Sequence, residues 1–271
     1  MLDAALAFEP ELQRARGKVR VTAKLRDGNT VLDRLYQSGS AKARIPKGDG
    51  FEVVLLNTAG GITGGDLFEN AINAAADTSV TVTTQTAERI YRSTGDEARV
   101  ANALTIGSGA RLDWLPQETI LFDRARLRRT LNVHMAEDAS FLAIEPLVLG
   151  RAAMGETVSR GFLSDHWRVR CGGCLVYADA LRLDGNIALT TQARASLNGA
   201  TACASLLYVA ADAEDRIDFV RAALADDGSA SAWNGLLAAR LVAADGARLR
   251  AALIRVVTIL RTGPLPRVWF T

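Results

Sequence analysis

The densest group of residues that could do chemistry is a glycine-rich phrase that ends in a carboxylate. Its residues are Gly60, Gly61, Gly64, Gly65 and Asp66. Glycine-rich loops can cradle phosphates, but this spacing matches neither the GK[ST] ending of a phosphate-binding loop nor the pattern G-x-G-x-x-G. The spacing favours a tight turn between two strands, with positive φ at several glycines and with Asp66 closing the turn through its side chain. The carboxylate could alternatively line a polar channel.

A second group of charged residues follows an apolar segment. Glu145 comes directly after a run of apolar residues, and Arg151 and Glu156 follow a short distance further along the chain. A carboxylate in apolar surroundings is costly unless it is paired, and Arg151 is the simplest partner for it. The pattern therefore predicts a buried ion pair. The alternative is an oxygen ligand along a path for a divalent cation.

Cysteines and histidines are too few for a convincing metal cage or hydrolase. Cys171 and Cys174 enclose two glycines, which favours a two-residue hairpin turn over a zinc or thioredoxin-like site. Cys203 and His166 would be the only additions to a zinc site. His166 follows Asp165, but neighbours in a strand point to opposite faces, and no G-x-S-x-G phrase is present. We expect no hydrolytic triad.

Overall charge argues against a nucleic-acid-binding protein. The 32 Lys and Arg against 30 Asp and Glu leave a net charge of +2, too small for an electrostatic footprint on nucleic acid. The basic cluster at residues 124–129 predicts either a solvated face or a surface for an acidic protein partner or an anion. Residues 1–17 carry acids and lack a signal-peptide pattern, and no apolar run reaches the length of a membrane span. The expectation is a cytoplasmic protein.

The elements that must position these residues are mostly short strands. Residues 19–24 alternate between apolar and polar types, and turn residues recur at the spacing of a sandwich, barrel or solenoid. A phrase of small residues at 108–110 recurs loosely at 138–140, at a distance typical of solenoid repeats. Further along, residues 187–191 also read as a strand. Stacked β coils are the expected architecture.

The last quarter of the chain has a different pattern. Residues 213–225 and 247–260 each place apolar side chains on one helical face. Residues 233–243, between them, read as a strand, and the apolar tail 265–270 is expected to dock on the body of the protein.

The predicted fold class is mainly β, a β-helix-like stack of short strands with two α-helices in the C-terminal region. No Pro/Gly/Ser-rich linker divides the sequence. We therefore expect a single domain over residues 1–271, strand-rich at 18–210, with helix, strand, helix and tail at 211–271.

Five phrases taken in order are more specific than any one of them. They are Leu56–Asp66, Thr83–Ala87 with Tyr91–Ser93, Trp114–Ile120, Leu149–Arg151 with Gly155-Glu156, and Leu265–Trp269. Together they resemble the urease accessory protein D family (UreD, called UreH in some organisms), from about Gly17 to the end of the chain. Ala59 departs from a proline that is common before the double glycine in that family. The Cys171–Cys174 segment is no part of the family pattern.

The resemblance implies a non-enzymatic maturation factor with a mostly β, β-helix-like fold and two helices. Such proteins act with the helical protein UreF and the nickel-carrying GTPase UreG on the urease apoprotein, whose own residues hold two nickel ions. A homodimer within that complex is a further expectation. A nickel path through the body of the protein is proposed for the family, and the matching positions here are Asp66 and Glu145. The glycines of the first phrase and Arg151 belong to the structural motif.

The chemistry of the chain fits transit of nickel better than storage. Imidazole and thiolate bind nickel more tightly than carboxylate, carbonyl and water oxygens do. A chain with two His residues and three Cys residues is therefore expected to hold no cofactor tightly and to pass nickel(II) through weak sites. The alternatives are a purely structural adaptor without a metal role, and a β-solenoid enzyme acting on a carbohydrate, which would need a deep aromatic groove.

Overall fold

Two large sheets and a short third ladder make up most of the fold in the computed structural model. It describes residues 13–48, 50–151 and 154–270. The first sheet contains, in spatial order, β14 (Cys174–Asn186), β13 (Arg160–Cys171), β11 (Arg126–Met135), β8 (Ala98–Ile106), β5 (Leu67–Ala74), β1 (Arg16–Arg26) and β2 (Asn29–Gly39). The second contains β16 (Gly228–Trp233), β17 (Leu236–Ala243), β15 (Ala202–Val209), β12 (Ser140–Leu149), β9 (Arg111–Leu115), β6 (Ser79–Thr84), β4 (Phe51–Asn57) and β3 (Ala41–Arg44). The expectation that residues 1–17 form no signal peptide concerns a segment that lies largely outside the described residues.

The chain winds as a β-helix, because successive strands alternate between the two sheets and equivalent strands pair in parallel. In the second sheet, β4, β6, β9 and β12 are parallel neighbours, and in the first sheet so are β1, β5, β8, β11 and β13. A third ladder of short strands, β7 (Glu88–Ile90) and β10 (Thr119–Leu121), completes each coil and pairs with the end of β12. The predicted β-helix-like stack is confirmed.

Stacked turns account for the recurrence in the sequence. Ser140 at the start of one coil donates its backbone N–H to the carbonyl of Ala110 in the previous coil (2.9 Å). The equivalent turns are closed by bonds from Ala110 to Gly107 and from Ala139 to Ala136. Each turn of small residues therefore lies on its counterpart, and the weak repeat near 30 residues is one coil of the β-helix.

Among the residues that the structure describes, three α-helices lie in the C-terminal region: α1 (Ile187–Gln192), α2 (Ile217–Leu224) and α3 (Gly246–Leu260). The apolar face predicted for 247–260 is buried, and the Asp245 side chain caps α3 by accepting from the N–H of Arg248 (2.9 Å). The tail docks as expected, since the buried Trp269 indole lies within 3.2 Å of the Thr83 hydroxyl and 3.3 Å of the Leu115 carbonyl. Among the described residues, no helix has the length and apolar character needed to cross a membrane.

Three local predictions are wrong. Residues 187–191, expected as a strand, form α1, because the side chain of Asn186 caps the first turn by accepting from Leu189 N–H. The strand predicted at 233–243 begins only at Leu236, because Asn234 and Gly235, both with positive φ, form the turn after β16, which ends at Trp233. The helix predicted from residue 213 begins only at Ile217.

The cysteine phrase is the predicted hairpin turn. Cys171 ends β13 and Cys174 begins β14, and the glycines between them have φ of 56° and 85°. These are the left-handed conformations of a two-residue hairpin. Both cysteines are free thiols in the described structure.

Candidate functional site

The glycine-rich phrase forms the loop between β4 and β5. Gly60, Gly61 and Gly65 have φ of 79°, 148° and 87°, a region that side chains with a Cβ avoid. The carboxylate of Asp66 accepts from the N–H of Thr63 (2.8 Å) and of Ala15 (2.7 Å). Asp66 is 3% exposed. The prediction of a turn that Asp66 closes through its side chain is confirmed.

Close packing explains why two of these positions need glycine. A Cβ on Gly61 would lie 2.2 Å from the ring of Tyr91, and one on Gly64 would lie 2.0 Å from the hydroxyl of Ser93. The Tyr91 hydroxyl also donates to the carbonyl of Gly60 (3.3 Å). The loop and the segment from Tyr91 to Ser93 therefore form one packed unit.

A cavity of about 170 Å³ begins at this loop and reaches into the β-helix. At its outer end lie Gly60, Gly61, Asn57 and Glu88. Its interior is lined by apolar side chains and by a small number of polar ones, namely Asn70, Asn102, Gln117, Thr119, Arg129 and Glu145. The Asn70 amide donates to the Asn102 side chain across the parallel strands β5 and β8 (3.0 Å). Polar groups thus follow the cavity through the packed core.

At the inner end, one buried arginine contacts two buried carboxylates. Arg129 Nη1 lies 2.5 Å from Glu145 Oε2, and Arg129 Nη2 donates to Asp165 Oδ2 at 2.7 Å. Arg129 also donates to the hydroxyl of Thr119, and the Trp114 indole donates to Glu145 Oε1 (both 2.9 Å). Three strands, β11, β12 and β13, bring these charges together from both sheets.

This arrangement corrects the predicted partner of Glu145. The expected ion pair exists, but with Arg129; Arg151 instead pairs with Glu156 at 2.8 Å, in a more exposed position. The basic cluster at 124–129 is also divided, because side chains alternate along β11. Arg128 is exposed and pairs with Glu97, whereas Arg129 is buried.

Two carboxylates facing one guanidinium leave an excess of negative charge. Burial, together with the charge of Asp165, raises the pKa of Glu145 to about 7 against the lowering effect of Arg129. The nearby acids outweigh burial at Arg129 and raise the pKa of its guanidinium. Asp165 Oδ1 is buried and has no hydrogen-bond partner within the described residues. An unsatisfied buried oxygen next to a cavity is costly unless a cation or water reaches it.

Sequence reasoning missed Glu88, at the outer end of the cavity. Its two carboxylate oxygens lie 3.2 and 3.3 Å from the amide nitrogen of Asn57, which also donates to Gly61 O (3.0 Å). Burial raises the pKa of Glu88 to about 7, and the charge of Asp66 adds to the rise. Its neighbours in sequence, Ala87 and Arg89, do not mark a buried segment, so only the coil geometry distinguishes Glu88 from a surface residue.

The two residues proposed for a nickel path have different surroundings. Glu145 lines the cavity, whereas both oxygens of Asp66 accept backbone hydrogen bonds within the loop. Within the described ranges, no group of three or more His, Cys, Asp or Glu residues is placed to hold a metal ion. His166 and Asp165 lie on opposite faces of β13, as predicted, with Asp165 alone buried.

Comparison with known proteins decides the family. The profile described as "UreD urease accessory protein" matches residues 15–270. A urease accessory protein UreD of Rhizobium leguminosarum bv. trifolii is 48% identical over 275 residues, covering 99% of both chains. Relatives of the same name from Xanthobacter autotrophicus and Agrobacterium fabrum are 48% and 45% identical, with 96% and 95% of this chain and 91% and 92% of theirs covered.

The chain belongs to the UreD family of urease accessory proteins. The resemblance drawn from the five phrases is therefore confirmed, and with it a role in urease maturation. In this UreD chain the phrases from residues 56–66, 83–93 and 114–120 all contribute to the cavity wall. Three of the five phrases that mark the family thus border one internal feature.

Proposed function

We propose that this UreD chain is a scaffold and a nickel conduit in the assembly of the urease metal centre. The observation that carries the proposal is the cavity that enters the β-helix at the glycine-rich loop and ends at Glu145 and Arg129, where Arg129 also pairs with the buried Asp165. It joins a partly buried carboxylate at the mouth to an acidic cluster inside the core. A divalent cation would relieve the excess negative charge at both places.

The ligand chemistry favours transit over storage. Glu88 and Glu145 supply carboxylate oxygens, and Asn70, Asn102 and Gln117 supply amide oxygens. Such ligands hold nickel weakly compared with imidazole or thiolate, so the ion can exchange from one site to the next. Asp66 has lone pairs beyond those in its two hydrogen bonds, but its first contribution is to hold the loop at the mouth in place.

The proposed assembly contains UreF, the GTPase UreG and the urease apoprotein, and it works in the cytoplasm. In this scheme nickel(II) is cargo and no cofactor stays bound. The UreD chain carries out no catalytic step, because the ligands of the finished centre belong to urease. We also propose that the assembly contains a second copy of this chain.

Metal transfer with single-residue variants tests the conduit. Glu145→Gln should lower nickel incorporation into urease severalfold, while leaving Arg129 neutralised by Asp165 so that the fold is kept. Asp113→Asn is the matched control, since Asp113 is a buried, arginine-paired carboxylate next to Trp114 on β9 and lies outside the cavity. The measurements are urease nickel content, urease activity and co-purification of the complex.

The same assay separates the conduit from a structural adaptor. Combining Asp66→Ala with Glu145→Ala should reduce nickel content while UreF and urease still co-purify with the chain. Full activation with normal complex formation would leave the scaffold role and remove the conduit. Loss of the complex itself would show that these residues act through assembly alone.

A carbohydrate-active enzyme is not supported by the cavity. Its aromatic lining consists of Phe68 and Trp114, and its whole volume is about 170 Å³. A glycosidase needs an open groove with stacking surfaces and room for a sugar between two carboxylates.

A further inference from the structure

A second concave surface, on the same side of the β-helix as the cavity mouth, is rich in arginine. Its lining residues are Tyr91, Arg92, Phe122, Asp123, Arg124, Arg151 and Glu156, and we call it the arginine cleft. The rings of Tyr91 and Phe122 meet edge to face at 5.1 Å, and the Arg151 guanidinium lies 4.3 Å from the centre of the Phe122 ring. The cleft therefore has an aromatic floor and a cationic rim.

The carboxylates of the cleft are already engaged. Asp123 Oδ1 accepts from the N–H and hydroxyl of Ser159 and from the N–H of Arg160, at 2.7 to 3.0 Å. Glu156 accepts from Arg151 (2.8 Å) and from the N–H of Asp123 (3.3 Å). Both oxygens of Glu156 are thus engaged, and the remaining oxygen of Asp123, Oδ2, lies 3.6 Å from Arg124 Nε.

Within the described residues, two exposed guanidinium groups of the cleft make no ion pair shorter than 3.6 Å and can bind an outside partner. Arg92 is exposed and makes no ion pair within the described part of the chain. Arg124 is 67% exposed at its side chain, and its nearest acid, Asp123, is 3.6 Å away. Exposed arginines of this kind suit carboxylates, because the guanidinium fork offers two parallel donors.

The backbone of Arg124 is held in an unusual conformation. Its φ of 61° lies in the left-handed region that residues with a Cβ seldom adopt. Two backbone hydrogen bonds impose it, from Arg124 N–H to Arg160 O (2.7 Å) and from Ser93 N–H to Arg124 O (3.0 Å). Strain of this type is often found where a side chain must be presented to a ligand.

The cleft and the cavity mouth share a wall. Tyr91 lines the cleft, and the same ring packs against Gly61, which lines the cavity. A molecule seated in the cleft would contact Tyr91 and so lie next to the mouth. Occupation of the cleft is thereby coupled by direct packing to the loop that bounds the cavity.

We propose that the arginine cleft binds an acidic segment of a partner protein, with its carboxylates on Arg92 and Arg124. Within the cleft, Arg151 already pairs with the carboxylate of Glu156, and this contact favours an acidic segment over a phosphate compound as the partner. The aromatic floor would pack against the apolar parts of the bound segment. The biological role of this binding rests on the proposed function, because a partner docked in the cleft would lie beside the nickel path.

A nickel-free binding assay tests the cleft. The probe is a fluorescent peptide of four alternating Asp and Glu residues flanked by glycine, titrated by anisotropy at low salt with the full chain. The double reversal Arg92→Glu with Arg124→Glu should weaken binding at least tenfold, and added salt should weaken wild-type binding. The control is Arg168→Glu with Arg194→Glu, two exposed arginines elsewhere that change the net charge equally.

A second variant guards against misfolding. Arg124→Gly removes the guanidinium and suits φ of 61°, so the fold should be retained while binding falls about tenfold. Glu145→Gln should bind the probe as the wild type does, which keeps a failure of the conduit distinguishable from a failure of the cleft. A peptide with Asn and Gln in place of the acids should not bind.

Four results would overturn the proposal. They are absence of binding by the wild type, equal loss in the control double variant, equal binding of the uncharged peptide, and tighter binding of inorganic phosphate or GTP that displaces the peptide. The last result would identify a phosphate site in place of a protein-docking surface.

Discussion

Replacing Glu88 by glutamine should stabilise the protein at neutral and alkaline pH. Burial raises the pKa of Glu88 from 4.5 to about 7. Between these two pH values the folded protein keeps the proton on Glu88, whereas the unfolded chain has released it. The contribution of Glu88 to the free energy of unfolding is therefore fully present below pH 4.5 and is lost as the pH rises toward 7. Glutamine carries no charge and avoids that loss.

The magnitude follows from the size of the pKa rise. At about 1.4 kcal/mol per pKa unit, a shift from 4.5 to about 7 corresponds to about 3 kcal/mol. Glutamine keeps an oxygen that can accept from Asn57, so the hydrogen bond at the mouth is retained. Because water can enter the outer end of the cavity, we take this value as an upper bound for the gain of Glu88→Gln at pH 8.

Urea denaturation at half-unit steps from pH 5 to pH 8 measures the effect. The free energy of unfolding of the wild type should fall across this range, and that of Glu88→Gln should fall less, with a residual slope from Glu145. The control is Glu97→Gln. The pKa of Glu97 is lowered by its hydrogen bond with Arg128, so this variant should lose stability at pH 7.

Identical pH profiles for the wild type and Glu88→Gln would refute the reasoning. That outcome would mean that the carboxylate at the mouth is fully hydrated and carries no electrostatic cost. It would also weaken the argument that the mouth attracts a divalent cation. Confirmation would imply that nickel entering there displaces a proton, so that its binding strengthens as the pH rises from 6 to 8.

Three further substitutions test the packing around the site. Arg129→Met should cost roughly 3–5 kcal/mol in urea denaturation, because two buried carboxylates lose their cation; a cost under about 1 kcal/mol would contradict the buried pair. Gly61→Ala should lower the melting temperature more than Gly60→Ala, because both have positive φ but only a Cβ at Gly61 meets an aromatic ring; equal effects would remove the role of the close approach. Trp269→Ala should cost roughly 3–5 kcal/mol, whereas Phe270→Ala, at an exposed position, should be nearly neutral, and comparable losses would contradict tail docking.

Local chemistry made several elements predictable. The turn at residues 60–66 and the hairpin at Cys171–Cys174 depend on glycine conformations and short-range hydrogen bonds, which the sequence contains in full. The helix α3 was predictable from one apolar face over its whole length. The short helix α1 was not, because its β-branched composition favours a strand while a single cap and tertiary packing decide for a helix.

Partners in the candidate site could not be predicted in the same way. Glu145 pairs with Arg129 on the preceding strand, in the other sheet, and Arg129 also pairs with Asp165 on the next coil. Sequence proximity suggested Arg151, but the winding of the β-helix sets strands of the two sheets, and of successive coils, against one another. Glu88 was missed because its burial comes from the loop and coil around it, and its neighbours Ala87 and Arg89 do not mark a buried segment.

By itself, the sequence determined the fold class, the glycine turns and the family, because these depend on residue types at fixed short spacings. Only the tertiary structure decided which charges meet, since the winding of the β-helix brings Glu88, Arg129 and Glu145 to one cavity and sets Asp165 against Arg129. The physical reason is that pairing energies in a buried site depend on distance and desolvation. Neither quantity can be read from the order of residues along the chain.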